Sequence, residues 1–345
     1  MHQHQKTLLL TGASGVLGRA LIDELSADFT IIALRNRTPV ADPRVTEVPA
    51  SLADPQLGLP PHRYDRLAGQ VDVVLHAAAS TNWRADPAAI RATNVGGTAN
   101  MLRFAERAEA PLHYVSTAFV ANPPAAGDAR FAGASTYIAS KIEAEQLTRD
   151  SDVRTVVLRP SVVIGDSQDG RMAAFQGLHR FCGLVARGGV PLVACDEDAL
   201  TDLVPQDLVA AAIGKVLRGG TGQDEYWLTA GQHAPTAGDI VESARRMGQR
   251  CGLNPPPLRY VAAEAVDRLL LPLLDDAIDP KLRQRFAELM EMTWLFQQPA
   301  ALPSSMAELG FGAETTRPAL VEAMDLSLDY WARAKGLQPT TELAS

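Results

Sequence analysis

Through the first half of the chain, short runs of leucine and β-branched residues alternate with stretches whose apolar positions recur at helical spacing. That alternation predicts βαβ units and a parallel sheet, an α/β doubly wound fold. Strands are predicted at Thr7–Leu10, Thr30–Leu34, Val45–Val48, Val71–His76, Leu112–Ser116 and Arg154–Leu158. Helices fall between them, at about Gly15–Ser26, Pro87–Glu109 and Ser135–Arg149. The strand runs are continuously apolar, as strands buried on both faces require.

Beyond Pro160 the alternation breaks down under Gly, Pro and charged residues. Elements are still predicted there: a helix over Pro205–Leu217 with Asp207 in its first turn, a strand at Tyr226–Leu228 and a closing helix over Thr315–Ala334. Asn254-Pro255-Pro256-Pro257 reads as a stiff connector ahead of another helical stretch. No internal repeat or low-complexity segment is seen.

A chain of 345 residues buries roughly three quarters of the surface its unfolded form exposes, and is long enough for one large domain and a smaller one. Hydrophobic residues at 46% and charged residues at 21% are ordinary for a globular protein. The formal net charge of -8 disfavours sequence-independent binding to nucleic acid or to an anionic membrane. Cys182, Cys195 and Cys251 are odd in number and lack C-x-x-C spacing, so they are read as reduced, mostly buried thiols. The histidines include no H-x-x-x-H pair, His2 and His4 lie in a polar stub expected to be unstructured, and no metal cofactor is expected. No secretory leader or membrane-spanning run is recognised, so a cytoplasmic location is the expectation. The greasiest stretch, Leu269-Leu270-Leu271-Pro272-Leu273-Leu274, is short and broken by proline, and reads as a helix over a pocket or at a dimer interface.

Three features carry chemistry. Thr11-Gly12-Ala13-Ser14-Gly15-Val16-Leu17-Gly18 follows the first predicted strand and opens the first helix, the context a dinucleotide-binding loop needs. There, glycines permit the turn, and backbone N–H groups meet a pyrophosphate at the positive end of the helix dipole. Farther on, Tyr137 and Lys141 lie one helical turn apart on one face. A phenol with a pKa of about 10 exchanges protons poorly near neutrality, and Lys141 is placed to stabilise its phenolate. Ser116-Thr117, just past the fifth strand, offers a hydroxyl at the carboxyl edge where open α/β sheets bind ligands.

The second strand ends Leu34-Arg35-Asn36-Arg37, without the carboxylate that takes a ribose 2′-hydroxyl. Arginine there accommodates a 2′-phosphate, so NADP(H) is expected, with Arg35 the main phosphate ligand and Arg37 or Arg19 assisting. The dinucleotide-binding Rossmann-type core is assigned to residues 6–165, also receiving elements from about 201–230. A smaller, mainly helical substrate lobe is assigned to 166–200 and 231–335.

The glycine loop, His76-Ala77-Ala78-Ala79, Asn94-Val95-Gly96-Gly97-Thr98, Ser116-Thr117, Tyr137-x-x-x-Lys141 and Arg159-Pro160 occur in the order of the extended short-chain dehydrogenase/reductases, which this chain resembles over residues 6–165. Within that superfamily several stretches resemble the branch of thioester reductases, fatty acyl-CoA reductases and carboxylic acid reductase R domains. These are Leu57-Gly58-Leu59 with Tyr64-Asp65-x-Leu67-Ala68, Val71 to Ala79, Tyr114 to Val120, and Arg159-Pro160-Ser161-Val162-Val163-Ile164-Gly165-Asp166-Ser167-x-x-Gly170.

The resemblance implies that Thr117 is the catalytic hydroxyl and Tyr137 the proton or oxyanion donor. Lys141 would hold the nicotinamide ribose and tune Tyr137, and Asn94 would support the proton relay. It further implies cofactor contacts at Gly12, Ser14, Gly15, Val16, Leu17 and Gly18, at Ala77, Ala78 and Ala79, and at Pro160, Val162 and Val163. Where the branch carries Gly-Asp-Leu beside the adenine, this chain has Ala50-Ser51-Leu52, so Ser51 and Leu52 are expected to stand in for that contact.

The expected activity is NADPH-dependent reduction of an acyl thioester, presented as a CoA ester or by a separate carrier protein, to an aldehyde or an alcohol. Alternatives on the same fold are reduction of a free ketone or aldehyde, sugar-nucleotide epimerisation or dehydration, and noncatalytic NADP sensing. The oligomeric expectation is a monomer or homodimer. His76 is expected to cap a strand beneath the cofactor, and Asp166 to order the loop after Pro160. Trp83 and Phe119 are read as touching substrate or filling the cleft wall, and His179 and Cys182 as ordinary packing.

Overall fold

Successive side chains of the first strand go to opposite faces, and both faces are covered. In the computed structural model, β1 (Lys6–Thr11) sends Leu8 and Leu10 into one apolar cluster and Leu9 into another. β4 (Val73–His76) divides Val73 and Leu75 from Val74 in the same way. This is why the strands read as unbroken apolar runs. The structure describes residues 5–124, 131–190, 192–219, 222–261, 279, 297–298 and 300–337.

The elements between and after these strands are α1 (Val16–Leu25), β2 (Phe29–Arg35), β3 (Val45–Pro49) and α2 (Pro61–Ala68), then α3 (Pro87–Arg91), α4 (Gly97–Ala108) and β5 (Leu112–Val115). They continue as α5 (Ala132–Arg149), β6 (Thr155–Pro160), β7 (Val162–Ile164), α6 (Gly177–Ala186), β8 (Leu203–Pro205), α7 (Gln206–Leu217), β9 (Glu225–Leu228), α8 (Ala237–Arg250) and α9 (Arg317–Ala334). Among the described residues seven strands form one sheet in the order β3-β2-β1-β4-β5-β6-β9, every pair parallel. The order reverses between β1 and β4, which opens a crevice at their carboxyl ends. β7 and β8 pair separately, also parallel.

Several expected elements shift. The helix expected over Pro87–Glu109 is interrupted by a π-helical turn at Ala92–Gly96, and Glu109 caps it in the left-handed region at φ 52°. The strand expected from Val71 starts at Val73, and β6 runs on to Pro160 because Pro160 pairs with Leu228. Helix α5 begins at Ala132, three residues before the expected Ser135.

In the C-terminal lobe α8 packs on α6 and α9. Arg246 and Arg250 of α8 reach Asp325 and Asp329 of α9 at 2.9 and 2.7 Å. The segment before α9 returns to the main sheet, where Ser305 donates its N–H to the Trp227 carbonyl at 2.8 Å and Ser304 its hydroxyl to Thr229 at 2.7 Å. This covers the edge of β9, which would otherwise present open hydrogen-bonding groups. The leucine-rich stretch at 269–274, and the N-terminal stub with His2 and His4, lie outside the described residues. Among the described residues no helix is long and apolar enough to cross a membrane.

Candidate active site

Four of the residues singled out from the sequence converge past the carboxyl ends of β4 and β5. Thr117 follows β5 in extended backbone and caps a short 3-10 turn, accepting from the Phe119 N–H. Tyr137 and Lys141 lie on the face of α5 turned to the sheet, 8% and 1% exposed. Asn94 sits in the π turn, a helical irregularity often found at functional sites.

Asn94 braces this arrangement. Its Oδ1 accepts from the Ser80 N–H at 2.7 Å, and its Nδ2 donates to the Ser80 carbonyl at 3.2 Å and to the Ser140 hydroxyl at 2.9 Å. The Ser140 hydroxyl donates to the Tyr137 carbonyl at 2.6 Å. One side chain thus ties the loop after β4 to the turn of α5 that bears the tyrosine and the lysine. The amide is spent on that brace, so its contribution is positional.

The electrostatics differ from the sequence expectation. Lys141 donates from Nζ to the Val115 carbonyl at 2.8 Å and rests over the Tyr114 ring at 4.3 Å. Burial lowers its pKa to about 7, against the field of Glu145, which raises it. Burial raises the Tyr137 phenol to about 12, and the group that draws it down is the Thr117 hydroxyl. Here the lysine turns to a backbone carbonyl and a ring, so the tyrosine stays a protonated donor rather than a phenolate.

Beneath Lys141 lies an ionic cluster that the sequence reading did not single out. Glu145, one turn farther along α5 and 2% exposed, accepts from Ser116 Oγ at 2.6 Å. It also accepts from Arg159 Nε at 2.9 Å and Nη2 at 2.8 Å, and from Arg149 Nη2 at 2.7 Å. Arg159 in turn donates to Glu225 at 2.8 Å and stacks over Trp227 at 4.7 Å. Ser116 is thereby committed to Glu145, leaving Thr117 as the hydroxyl beside Tyr137. The signal in the sequence was an acid at i+4 from Lys141, on the face already marked as functional.

His76 holds the floor of the crevice. Fully buried, its Nδ1 lies 2.7 Å from Thr11 Oγ1 and its Nε2 3.2 Å from Thr98 Oγ1. The Thr98 hydroxyl donates to the Asn94 carbonyl at 2.7 Å, so Nε2 is the protonated nitrogen and Nδ1 accepts from Thr11. Thr11 Oγ1 accepts from the Ala78 N–H at 3.0 Å. Burial lowers the His76 pKa to about 3, which keeps it neutral and bars it from general-base work near pH 7.

The crevice at the strand-order reversal has a volume of about 190 Å³ and opens to solvent. It is lined by Gly12, Ala13, Ser14, Leu34, Arg35, Asn36, Thr38, Val40, Ala50, Ser51, Leu52, Ala53, Ala78, Ala79 and Thr93. Gly12 turns there at φ +76°, and a Cβ on it would come within 2.8 Å of the Ala78 nitrogen. A Cβ on Gly18 would meet the Gly12 carbonyl at 2.1 Å, so α1 closes on the loop only with glycine at that position. No acid stands in the first turn of α1 to oppose an anion at its positive end. The residues present therefore fit a dinucleotide.

Of the expected phosphate ligands Arg35 lines this crevice, whereas Arg19 and Arg37 are exposed and do not. Gly15, Val16 and Leu17 form the turn into α1, and Ala77 packs behind Gly12. Pro160, Val162 and Val163 lie on β6 and β7, at the other end of the site. Asn36 and Thr38 were not anticipated in the lining. Tyr137 belongs to an apolar cluster with Phe131, Ala134 and Ile138, flanked by Trp83 and Phe119. His179 and Cys182 are fully buried, His179 bonding Ser327 at 2.9 Å, and Asp166 accepts from the Gln168 N–H at 2.9 Å within its own loop.

Comparison with known proteins gives a consistent picture. The family model described as male sterility protein, an NAD-binding family, matches residues 29–213. A glycine betaine reductase of Emericella nidulans is 36% identical over 145 residues, which are 34% of this chain and 11% of that protein. A hybrid PKS-NRPS synthetase of Macrophomina phaseolina is 32% identical over 178 residues, 45% of this chain and 4% of that protein. The chain thus corresponds to a small fraction of these relatives. Among solved structures, the terminal R domain from the myxalamid PKS-NRPS biosynthetic pathway is 26% identical with a TM-score of 0.74, covering 98% of this chain and 93% of that one.

Proposed function

Because the chain belongs to the NAD-binding family described as male sterility protein, and is an NAD(P)-dependent oxidoreductase of the extended short-chain dehydrogenase/reductase type, we propose that it reduces an acyl thioester with NADPH. The observation that carries this reading is the Thr117–Tyr137–Lys141 cluster beside the dinucleotide crevice, in a chain that matches a terminal reductase domain over 98% of its length.

The residues present would hold NADPH with its pyrophosphate at the N-terminus of α1, its adenosine between Arg35 and Ser51, and its nicotinamide ribose toward Lys141. The bound nicotinamide supplies the hydride. The protein's part is to place the thioester carbonyl before Tyr137 and Thr117, whose hydroxyls donate to the oxygen as negative charge gathers on it. Each such positioned donor is worth on the order of a few kcal/mol in the transition state. The phenol, protonated across the neutral range, then gives its proton to that oxygen. The resulting hemithioacetal expels the thiol as its C–S bond breaks, leaving an aldehyde. Trp83, Phe119 and Phe131 supply an apolar wall beside Tyr137. The acyl group arrives on a carrier protein or on coenzyme A.

NADPH oxidation measured against acyl-CoA, acyl-carrier, aldehyde and UDP-sugar panels tests the reading, with Tyr137→Phe as the control. Thioester-dependent turnover that falls by at least about 100-fold in Tyr137→Phe is expected, the scale of a lost general acid. Turnover confined to sugar nucleotides, or unchanged in Tyr137→Phe, defeats it.

A further inference from the structure

Arg35 is the basic side chain lining the crevice, and it is held before any phosphate arrives. Its Nε lies 3.2 Å from Oε2 of Glu47, both side chains being about one quarter exposed at 27% and 24%. The other oxygen of the same carboxylate, Oε1, accepts the backbone N–H of Ala41 at 3.0 Å. Ala41 sits in the left-handed region at φ 53°, a conformation that needs support in a residue with a Cβ. The segment it closes carries Asn36, Thr38 and Val40, all of which line the crevice. A single carboxylate therefore fixes both the guanidinium and the loop facing it.

The sheet makes this contact. In the parallel register of β2 and β3, Ala33 pairs with Glu47 and Arg35 with Pro49. Residues two apart on a strand share a face, so Glu47 and Arg35 lie diagonally on the same side. A carboxylate on Nε, with Nη1 donating once to the Asn36 carbonyl at 3.4 Å, leaves Nη2 and the second Nη1 hydrogen for another anion, and donors in a fixed plane suit a phosphate.

We propose that Glu47 is the positioning residue that sets preference for the 2′-phosphate, by holding Arg35 and the Asn36–Ala41 loop in the geometry that receives it. The proposal rests on the NADP(H) reading above. It is distinct from a direct role, in which the carboxylate would itself take a ribose 2′-hydroxyl.

Titration calorimetry of the full chain with 2′,5′-ADP and with 5′-AMP separates these cases without turnover. The wild type is expected to bind 2′,5′-ADP more tightly, and no discrimination would sink the NADP(H) reading together with the proposal. Given discrimination, Glu47→Ala is expected to weaken 2′,5′-ADP about tenfold, the scale of one charge-assisted hydrogen bond, with 5′-AMP within about twofold. Glu47→Gln, which keeps an acceptor for Ala41 and loses the charge, is expected to fall between. Unchanged or tighter binding of 2′,5′-ADP by Glu47→Ala overturns the proposal and leaves the NADP(H) reading standing. Loss of both ligands overturns it as well, making Glu47 a general support of the loop. Selective loss of 5′-AMP overturns it in favour of the direct role, and retained 5′-AMP binding shows that the variant is folded.

Discussion

The two ends of the site are each braced by an arginine and a glutamate, and water reaches the two pairs to different extents. At the Tyr137–Lys141 end, Arg159 and Glu145 are 3% and 2% exposed. Arg159 gives two donors to Glu145 and another to Glu225, and covers Trp227 with its plane. At the crevice end, Arg35 and Glu47 are 27% and 24% exposed, and the carboxylate holds Nε. A saturated arginine fixes strands and helices relative to one another. One that keeps donors unspent, as Arg35 does at Nη2, is ready for a ligand.

The difference predicts a ranking of substitutions. The largest effect belongs to the sealed pair, because removing one partner leaves the other charge buried, at a cost of about 3–5 kcal/mol. Glu145→Ala should therefore lower the unfolding free energy by about that amount, read by urea titration. A loss under about 1 kcal/mol would mean that Arg159 is satisfied by Glu225 alone, and the contrast between the ends would collapse. Glu145→Gln adds a test of function. Glu145 raises the Lys141 pKa, which burial lowers to about 7, so the ammonium is lost as pH rises through that value. Removing the acid lowers that pKa further, and the alkaline limb of kcat/KM should move to lower pH. A limb that stays in place would show that Lys141 is not the group it reports.

A smaller and more selective effect is expected at the open pair. Arg35→Ala should raise the KM for NADPH about 10- to 100-fold, in line with about 1.5–3 kcal/mol for a hydrogen bond to a charged group, while NADH changes little. The measurement is the ratio of the two KM values, and equal increases would move the 2′-phosphate away from Arg35. Stability should hardly change, since a pair that water still reaches contributes little. Glu145→Ala should damage the fold, and Arg35→Ala only one ligand.

What the sequence made legible follows the same division. Strand β1 was legible because a parallel strand covered on both faces must be apolar along its buried length, and Leu8, Leu9 and Leu10 have no polar alternative. The glycine loop and the Tyr137–Lys141 spacing were legible because each is set within one turn or one helix. Glu145 stood in plain view at i+4 from Lys141, yet its partners Ser116 and Arg159 are 29 and 14 positions away, and only the packing of α5 on β5 and β6 brings them together. The direction of Lys141 was illegible for a related reason. The Val115 carbonyl and the Tyr114 ring compete for its ammonium, and both belong to a different element. Helix α8 was overlooked although Thr236 and Asp239 form a capping box, because its many charged residues mask an apolar face of Ile240, Val241, Ala244 and Met247.

The smallest effect makes the sharpest control. Arg91 of α3 and Glu143 of α5 form a two-pronged pair, with Nη2 2.7 Å from Oε1, on the same helix as Glu145 and two residues before it. In contact chemistry this pair resembles Arg159–Glu145, but its side chains are 53% and 40% exposed. Water solvates both charges once the contact is broken, so Arg91→Ala should cost no more than about 1 kcal/mol and leave turnover within about twofold. High salt should narrow even that difference, because screening acts on exposed charges and spares buried ones. If Arg91→Ala destabilised the protein as much as Glu145→Ala, number and geometry of hydrogen bonds would be enough to explain both pairs, and the argument from burial would fail. If the two differ by several kcal/mol in urea titrations at matched salt, the energetic weight of the Tyr137–Lys141 end comes from exclusion of water beneath Lys141.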